Sequence, residues 1–389
     1  MKRAYKFRLR PNRSRRRILD SILRLHCELY NAALQERRDA WRISKTSVSY
    51  KMQSQQLKDI RKEREDIAGL SFSACQQTLR RLDRSFQAFF RRVKLGHTPG
   101  FPRFRSHNRF DTVQYQKIGD GCAYDPERGR AYFKETGWIR VNQHRDIRGE
   151  IKTLALKREG DAWYVILSCD EVPVQALPKS KLTGGLDLGV RRLVTTSEGD
   201  QYANPRHLEK REEALAKAQQ EVERKKKGSK RQLKARAKVR RIHGKIARCR
   251  KDNHHKVALD LLMRFDSLMV EDLKPGQMSR SNKGTVEQPG KNVAVKKELN
   301  KSIMDTGWAS FIGILLAKAE SAGREVVMVN PAYTSQECAE CQHVCKENRP
   351  KTEVFCCVAC GHSTDPDWNA ARNVHRAGLA RQARTASAV

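Results

Sequence analysis

Two Cys-x-x-Cys turns near the C-terminal end, Cys338-Ala-Glu-Cys341 and Cys357-Val-Ala-Cys360, constrain this chain more than any other feature. Such a turn brings two thiolates to one ion, and a pair of turns supplies four ligands in the tetrahedral geometry that zinc prefers. A four-thiolate site is closed, so the Zn²⁺ expected here is structural. Only a few residues later comes Asp365-Pro-Asp367-Trp-Asn-Ala-Ala, which places acids beside the metal clip and raises the question of chemistry. The remaining cysteines follow no disulfide spacing: Cys27, Cys75, Cys122, Cys169 and Cys249 stand singly. Cys345 and Cys356 flank the turns out of register, as alternative ligands or spares. A reducing compartment with a metal site explains this usage better than a secreted disulfide framework.

Charge is the second constraint. Among 389 residues, 79 Lys and Arg stand against 44 acids, a formal charge of +35, and the pI is near 10.1. That exceeds what solubility requires and points to a polyanionic partner, nucleic acid before membrane. The excess is clustered: nine cations lie between Lys2 and Arg17 and fifteen between Arg224 and Lys251, both stretches without an acid. Within the second, Lys234, Lys238 and Arg241 are candidate contacts to phosphate backbone. A mean hydropathy of −0.75 fits a soluble protein, and no apolar run nears the roughly 18 residues of a bilayer span. The basic N-terminus has no apolar signal region after it, so the cytoplasm is the expected location.

Periodicity divides the chain. Tyr5-Lys-Phe-Arg-Leu alternates as a strand, and Ile18, Ile22, Leu25 and Leu29 then recur at helical spacing. Further helices are expected from about Val48 to Arg64 and from Ser71 to Val93. After the breaker-rich segment from Gly96 come strand-like pieces at Val113, 131–133, 138–141, 151–157 and 163–169. This pattern predicts a small β-barrel (1–10 and 96–178) with a helical unit (11–95) inserted between its strands. A linker over 173–181 leads to an α/β pattern, with strands at Leu186, Leu193, 267–270 and 326–329. Two long helices across 206–265 and one at Trp308–Ala322 complete it, and 285–295 is expected to be a mobile loop.

Three acids sit where such a domain would hold a catalytic metal. Asp187 lies in the first α/β strand, Glu271 ends an apolar strand, and Asp367 precedes a helix beginning near Asn369. A carboxylate held out of water needs a compensating partner, which a divalent cation supplies. Hard oxygen ligands suit Mg²⁺ or Mn²⁺, and two such ions can activate water and stabilise a leaving oxygen in phosphodiester cleavage.

Gly185-Leu-Asp-Leu-Gly-Val, Val270-Glu-Asp-Leu-Lys, Asn330-Pro-Ala-Tyr-Thr-Ser-Gln-Glu-Cys and Asp365-Pro-Asp-Trp-Asn-Ala-Ala-Arg-Asn-Val, in this order, closely resemble TnpB. TnpB is the nuclease encoded by bacterial insertion sequences and is related to compact type V CRISPR effectors. The resemblance extends to Tyr5-Lys-Phe-Arg-Leu-Arg-Pro, Gly100-Phe-Pro-Arg-Phe-Arg and Ser302-Ile-Met-Asp-Thr-Gly-Trp, so it covers nearly the whole chain. It implies an α+β multidomain protein whose wedge-like β-barrel with inserted recognition helices holds a guide RNA and the target DNA duplex. A split RuvC (ribonuclease H-like) nuclease follows at 179–335 and 362–389, interrupted by a zinc-binding module at 336–361. Asp187, Glu271 and Asp367 would be its metal-binding acids. The resemblance also places Tyr50, Ser73, Gln76 and Gln77 near the duplex, where glutamine amides can read adenine in a target-adjacent motif. The departure is Pro366, which stands between two acids and can shift the entry to the last helix.

The expected function is RNA-guided cleavage of double-stranded DNA, with a monomer favoured over a dimer. A CRISPR effector, an unguided structure-selective nuclease and a DNA-binding regulator without chemistry are the rivals. The chain carries no separate nucleophilic Tyr or Ser module, so strand joining is not expected.

Overall fold

The computed structural model describes residues 1–285 and 287–386, in two compact units, Met1–Pro173 and Val174–Val389. The first unit opens with β1 (Arg3–Leu9), whose alternating Tyr5, Phe7 and Leu9 are buried. Pro11 ends the strand's neighbourhood and Asn12 caps α1 (Arg13–Ser44), its side chain accepting from the Arg15 amide at 2.8 Å. Helices α2 (Tyr50–Glu63), α3 (Glu65–Ala68) and α4 (Phe72–Lys94) follow. Leu79, Leu82 and Phe86 of α4 share a core with Leu19, Ile22, Leu29 and Tyr30 of α1.

The chain then returns to the sheet of β1 through β2 (Thr112–Tyr115), β3 (Cys122–Asp125), β4 (Arg130–Phe133), β5 (Gly137–Asn142), β6 (Glu150–Glu159) and β7 (Ala162–Asp170). The order is β2-β6-β7-β1-β5-β4-β3, all antiparallel, with β1 between β7 and β5. The helices are therefore an insertion between strands of one sheet. Among the described residues no strand pairing joins the edges β2 and β3. β3 was not legible in the sequence, because Cys-Ala-Tyr-Asp is short and polar at its end.

The second unit is built on β8 (Thr183–Asp187), β9 (Arg192–Thr196) and β10 (Gln201–Ala203), followed by α5 (Glu212–Glu223) and α6 (Lys230–Arg264). Then come β11 (Ser267–Glu271), α7 (Pro275–Met278), α8 (Val293–Thr306), α9 (Trp308–Ala322) and β12 (Glu325–Val329). β13 (Phe355–Cys356) and β14 (Ser363–Thr364) form a small ribbon before α10 (Pro366–Ala386). The sheet order is β10-β9-β8-β11-β12, with β8, β11 and β12 parallel. All five residues of β11 are buried, as expected for a central strand covered on both faces. Leu268 and Val270 share a core with Leu261 and Leu262 of α6 and Phe311 and Leu315 of α9. Met269 faces the other way, with Val374 of α10. The loop expected over 285–295 gives way to α8 at Val293, and Val286 within it lies outside the described residues. That helix buries only Ile303 and Thr306, too few positions to leave an amphipathic signature.

Candidate metal centre and nucleic-acid surfaces

Strand parity places the acids. Leu186 and Val270 are register partners in the parallel pair β8–β11, so Asp187 and Glu271 are the next residues on adjacent strand ends. Side chains alternate along a strand, so Asp187 shares a face with Gly185, and Glu271 with Met269. That face carries α10. A Cβ on Gly185 would sit 2.1 Å from the Ala371 carbonyl oxygen, and one on Gly378 would sit 1.9 Å from Met269 Cγ. Only the missing side chains let the helix backbone lie this close to the strands. The helix thereby brings its first turn, with Asp367, towards the two strand-end acids.

Asp365 and Asp367 separate by role. Asp365 accepts from the backbone amides of Asp367 (3.0 Å) and Trp368 (3.2 Å), so it caps α10 with Pro366 at the first helical position. Arg192 of β9 donates to Asp365 at 2.7 Å and more weakly to Asp367 at 3.4 Å. Burial pushes Asp365 up, but Arg192 and the two amides outweigh it and hold the carboxyl below its ordinary range. Asp367 goes the other way: burial and the neighbouring Asp365 raise it against the pull of Arg192 and Arg349.

Asp187 is raised furthest, by burial, then by the charges of Glu271 and Asp367. Among the described residues it has no hydrogen bond or ion pair. Glu271, 6% exposed, is raised by burial and takes one hydrogen bond, from Thr334 Oγ1 at 2.5 Å. Three desolvated carboxyls, with the charges of Glu271 and Asp367 both acting on Asp187, fit a divalent cation as the missing partner. Their oxygens are not all within 4.8 Å of one another; among the described residues, the four thiols are the group that is.

Those thiols belong to Cys338, Cys341, Cys357 and Cys360. Cys338 and Cys360 sulfurs lie 3.7 Å apart and Cys341 and Cys357 sulfurs 3.5 Å, close to the roughly 3.8 Å edge of a tetrahedron with Zn–S bonds of about 2.3 Å. The donor set fits zinc. Burial pushes the Cys357 thiol up, but the amides of Cys360 and Ala359 and the neighbouring thiols bring it down to about 6. At Cys360 the pull of the His362 amide is outweighed by the neighbouring thiols, which push it up to about 12, so without a metal the first thiolate forms at Cys357. Cys345 and Cys356 stand outside the cluster; the Cys345 thiol donates to Glu347 at 2.7 Å.

Asparagines that sequence reasoning passed over tie this module together. Fully buried Asn348 donates to the carbonyls of Gln336 (2.8 Å) and His343 (3.0 Å) and accepts from the Val358 amide (2.9 Å), bridging the two cysteine turns. Asn369 and Asn373 of α10 donate to the Glu337 carbonyl at 2.7 and 2.6 Å, and Asn369 also accepts from the Ala339 amide at 2.9 Å. The cysteine module and the acid-bearing helix are thus one hydrogen-bonded body. Arg349 extends from the module to within 3.9 Å of Asp367.

The nucleic-acid candidates are placed differently. Lys234, Lys238 and Arg241 are exposed on α6, and Lys238 pairs with Glu221 of α5 at 3.1 Å. In the first unit, Ser73 and Gln77 are buried, at 8% and 7% exposure. The Ser73 hydroxyl meets Ser71 at 3.2 Å, and the Gln77 amide donates to Gln116. Both polar ends are thus engaged inside the unit. Tyr50 and Gln76 are half-buried; Arg80 donates to the Tyr50 hydroxyl at 3.0 Å and Gln76 to Ser54 at 3.1 Å.

The chain matches three families: one described as "Probable transposase" over residues 166–282, a "Cas12f1-like, TNB domain" over 308–374, and a "Helix-turn-helix domain" over 1–45. It is 36% identical over 306 residues to "Putative RNA-guided DNA endonuclease InsQ" of Escherichia coli (strain K12), spanning 78% of this chain and 74% of that protein. It is 30% identical to "Putative RNA-guided DNA endonuclease" of Streptomyces pristinaespiralis, across 98% of this chain and 91% of the relative. "TnpB-like protein L79" of Acanthamoeba polyphaga mimivirus is 26% identical over 59% of this chain and 44% of its own length. With identity of this level running through most of both bacterial relatives, the chain belongs to the TnpB family.

Proposed function

We propose that the protein is an RNA-guided DNA endonuclease of an insertion sequence. The observation that carries this reading is the convergence of Asp187, Glu271 and the first turn of α10 on one face of a parallel sheet, in a chain whose bacterial relatives bear that name. Asp187, Glu271 and Asp367 would hold Mg²⁺ or Mn²⁺, two ions in the reading we favour. The ions would supply Lewis-acid stabilisation of the reacting phosphate and a lowered pKa for the attacking water. The acids would remain ionised once a cation is bound, with Thr334 holding one oxygen of Glu271. Asp365 would orient α10, and Arg192 would restrain the Asp365 and Asp367 carboxylates.

The domain reading assigns the strands of 1–10 and 96–178 to a wedge-like barrel, 11–95 to recognition helices, 179–335 and 362–389 to a split RuvC-like nuclease, and 336–361 to a structural zinc module. Guide RNA and target duplex would lie along the cationic surfaces, with sequence choice delegated to base pairing and work in the cytoplasm as a monomer. Tyr50 and Gln76 remain the candidates for reading the target-adjacent motif. Gln76→Ala should change the motif preferred in a randomised-flank cleavage library, and an unchanged preference removes Gln76 from that role.

The deciding experiment is cleavage of a guide-matched duplex in Mg²⁺, with Ca²⁺ as the binding comparison. Asp187→Ala, Glu271→Ala and Asp367→Ala should each lose on the order of a hundredfold or more in rate while guide-RNA affinity stays within a few-fold. Asp365→Ala should be milder. An inactive Asp365→Ala beside an active Asp367→Ala would reverse the acid assignment. Sequencing the RNA that copurifies distinguishes an element-end guide from a CRISPR repeat, and finding no discrete RNA favours the unguided nuclease.

A further inference from the structure

A groove of about 770 Å³ runs in the first unit between the C-terminal half of α1, the turn after it, and the C-terminal half of α4. Its walls are aromatic. Phe101 packs edge-on against Phe86 and Phe89, with centroids 5.5 and 5.3 Å apart and planes at 88° and 78°. This fixes one wall, while Phe90 and Trp41 stay 60% and 58% exposed. Among the described residues no ring or guanidinium stacks on Trp41. Rings open to water beside one another mark a surface that a partner covers.

The rim identifies the partner's charge. Arg38 and Arg42 line the groove, with Arg38 also over the Phe104 ring at 5.1 Å, and the last turn of α4 adds Arg91, Arg92 and Lys94. The two acids in the lining pair with two of its arginines, Asp83 with Arg37 at 3.0 Å and Asp39 with Arg42 at 3.4 Å, which leaves Arg38 and the end of α4 as the uncompensated charge. A second copy of this chain would bring the same cations against themselves, which disfavours a symmetric dimer here. A nucleobase has a flat π face for the rings and a phosphate on either side for the arginines. Bases in a duplex are already stacked, so the base must be unpaired. Exposed rings also need cover in the resting protein, and under the proposed function the resident nucleic acid is RNA while DNA only visits.

Resting on the guided-nuclease reading, we propose that this groove clamps an unpaired base of the guide RNA between Trp41 and Phe90. Its lining reaches Ser49 at the cap of α2 but includes neither Tyr50 nor Gln76, the residues assigned to the target-adjacent motif.

The test uses the full chain assembled with its copurifying RNA, carrying 4-thiouridine and crosslinked by light. RNA-linked peptides should contain Trp41 or Phe90. Trp41→Leu, which keeps apolar bulk but loses the π face, should weaken RNA binding roughly tenfold without changing its salt dependence, and Trp41→Phe should restore most of it. RNA that crosslinks only elsewhere, or unchanged affinity in Trp41→Leu, overturns the clamp while leaving the nuclease reading intact. With 4-thiothymidine placed in the target DNA instead, crosslinks to Trp41 or Phe90 from DNA alone would assign the groove to the other nucleic acid and overturn it too. A dimer by light scattering that Trp41→Leu dissolves and RNA does not displace would give the groove to a second copy. Failure to bind any RNA would remove the clamp and the guided reading together.

Discussion

At Asp187 burial and the charges of Glu271 and Asp367 act in the same direction, and Arg349 opposes them only in part. The native carboxyl therefore keeps its proton to a higher pH than the unfolded chain, whose ordinary value is 3.8. Between those two pKa values the native state binds more protons, so the stability of metal-free protein falls as pH rises through that window. Asp187→Asn should raise the metal-free melting temperature at neutral pH by a few degrees and flatten its pH dependence. Added Mg²⁺ should raise the wild-type value and leave the variant nearly unmoved. Equal melting curves without metal would mean that the carboxyl is not under strain. The strand positions of Asp187 and Glu271 were legible in the sequence, the first within the opening α/β strand and the second at the end of an apolar one. Arg192, Thr334 and Asn373 were not, since each acquires its partner from an element distant in the chain.

Helix α10 docks through absence: Gly185 and Gly378 leave room for backbone against strand. Gly185→Ala should force the helix from β8 and cost on the order of 1–3 kcal/mol in denaturant unfolding. Gly313, exposed in α9 with open space around it, is the contrast, and Gly313→Ala should stabilise by about 0.5–1 kcal/mol. If both changes act alike, close packing is not what glycine provides at 185. The four-cysteine module gives an equally direct comparison. Cys357→Ser should lose most of the zinc measured by mass spectrometry, whereas Cys356→Ser should retain it, because only Cys357 joins the thiol cluster. Spacing identified the knuckles, and the apolar run 268–270 identified β11. The start of α8 was hidden because its exposed, polar sequence carries no helical stripe, and Asn348 was hidden because bridging two loops leaves no periodic trace.

Across the whole molecule the charge of +35 was readable from composition, but the surface it occupies was not. Replacing Lys234, Lys238 and Arg241 together by Gln should lower the slope of log affinity against log salt by roughly 0.7 to 0.9 for each phosphate contact removed. Lys238 should contribute less than Lys234, because Glu221 already holds it. An unchanged slope would exclude that face of α6 from nucleic-acid binding. The order of the acids along the chain has a temporal consequence. Asp187 and Glu271 precede Asp367 by far, and domains tend to fold as they leave the ribosome. During synthesis the unit Met1–Pro173 is available to fold long before α10 exists to complete the acid cluster. A growing chain therefore holds a complete seven-stranded sheet and its inserted helices well before the last of the three acids has a helix to carry it.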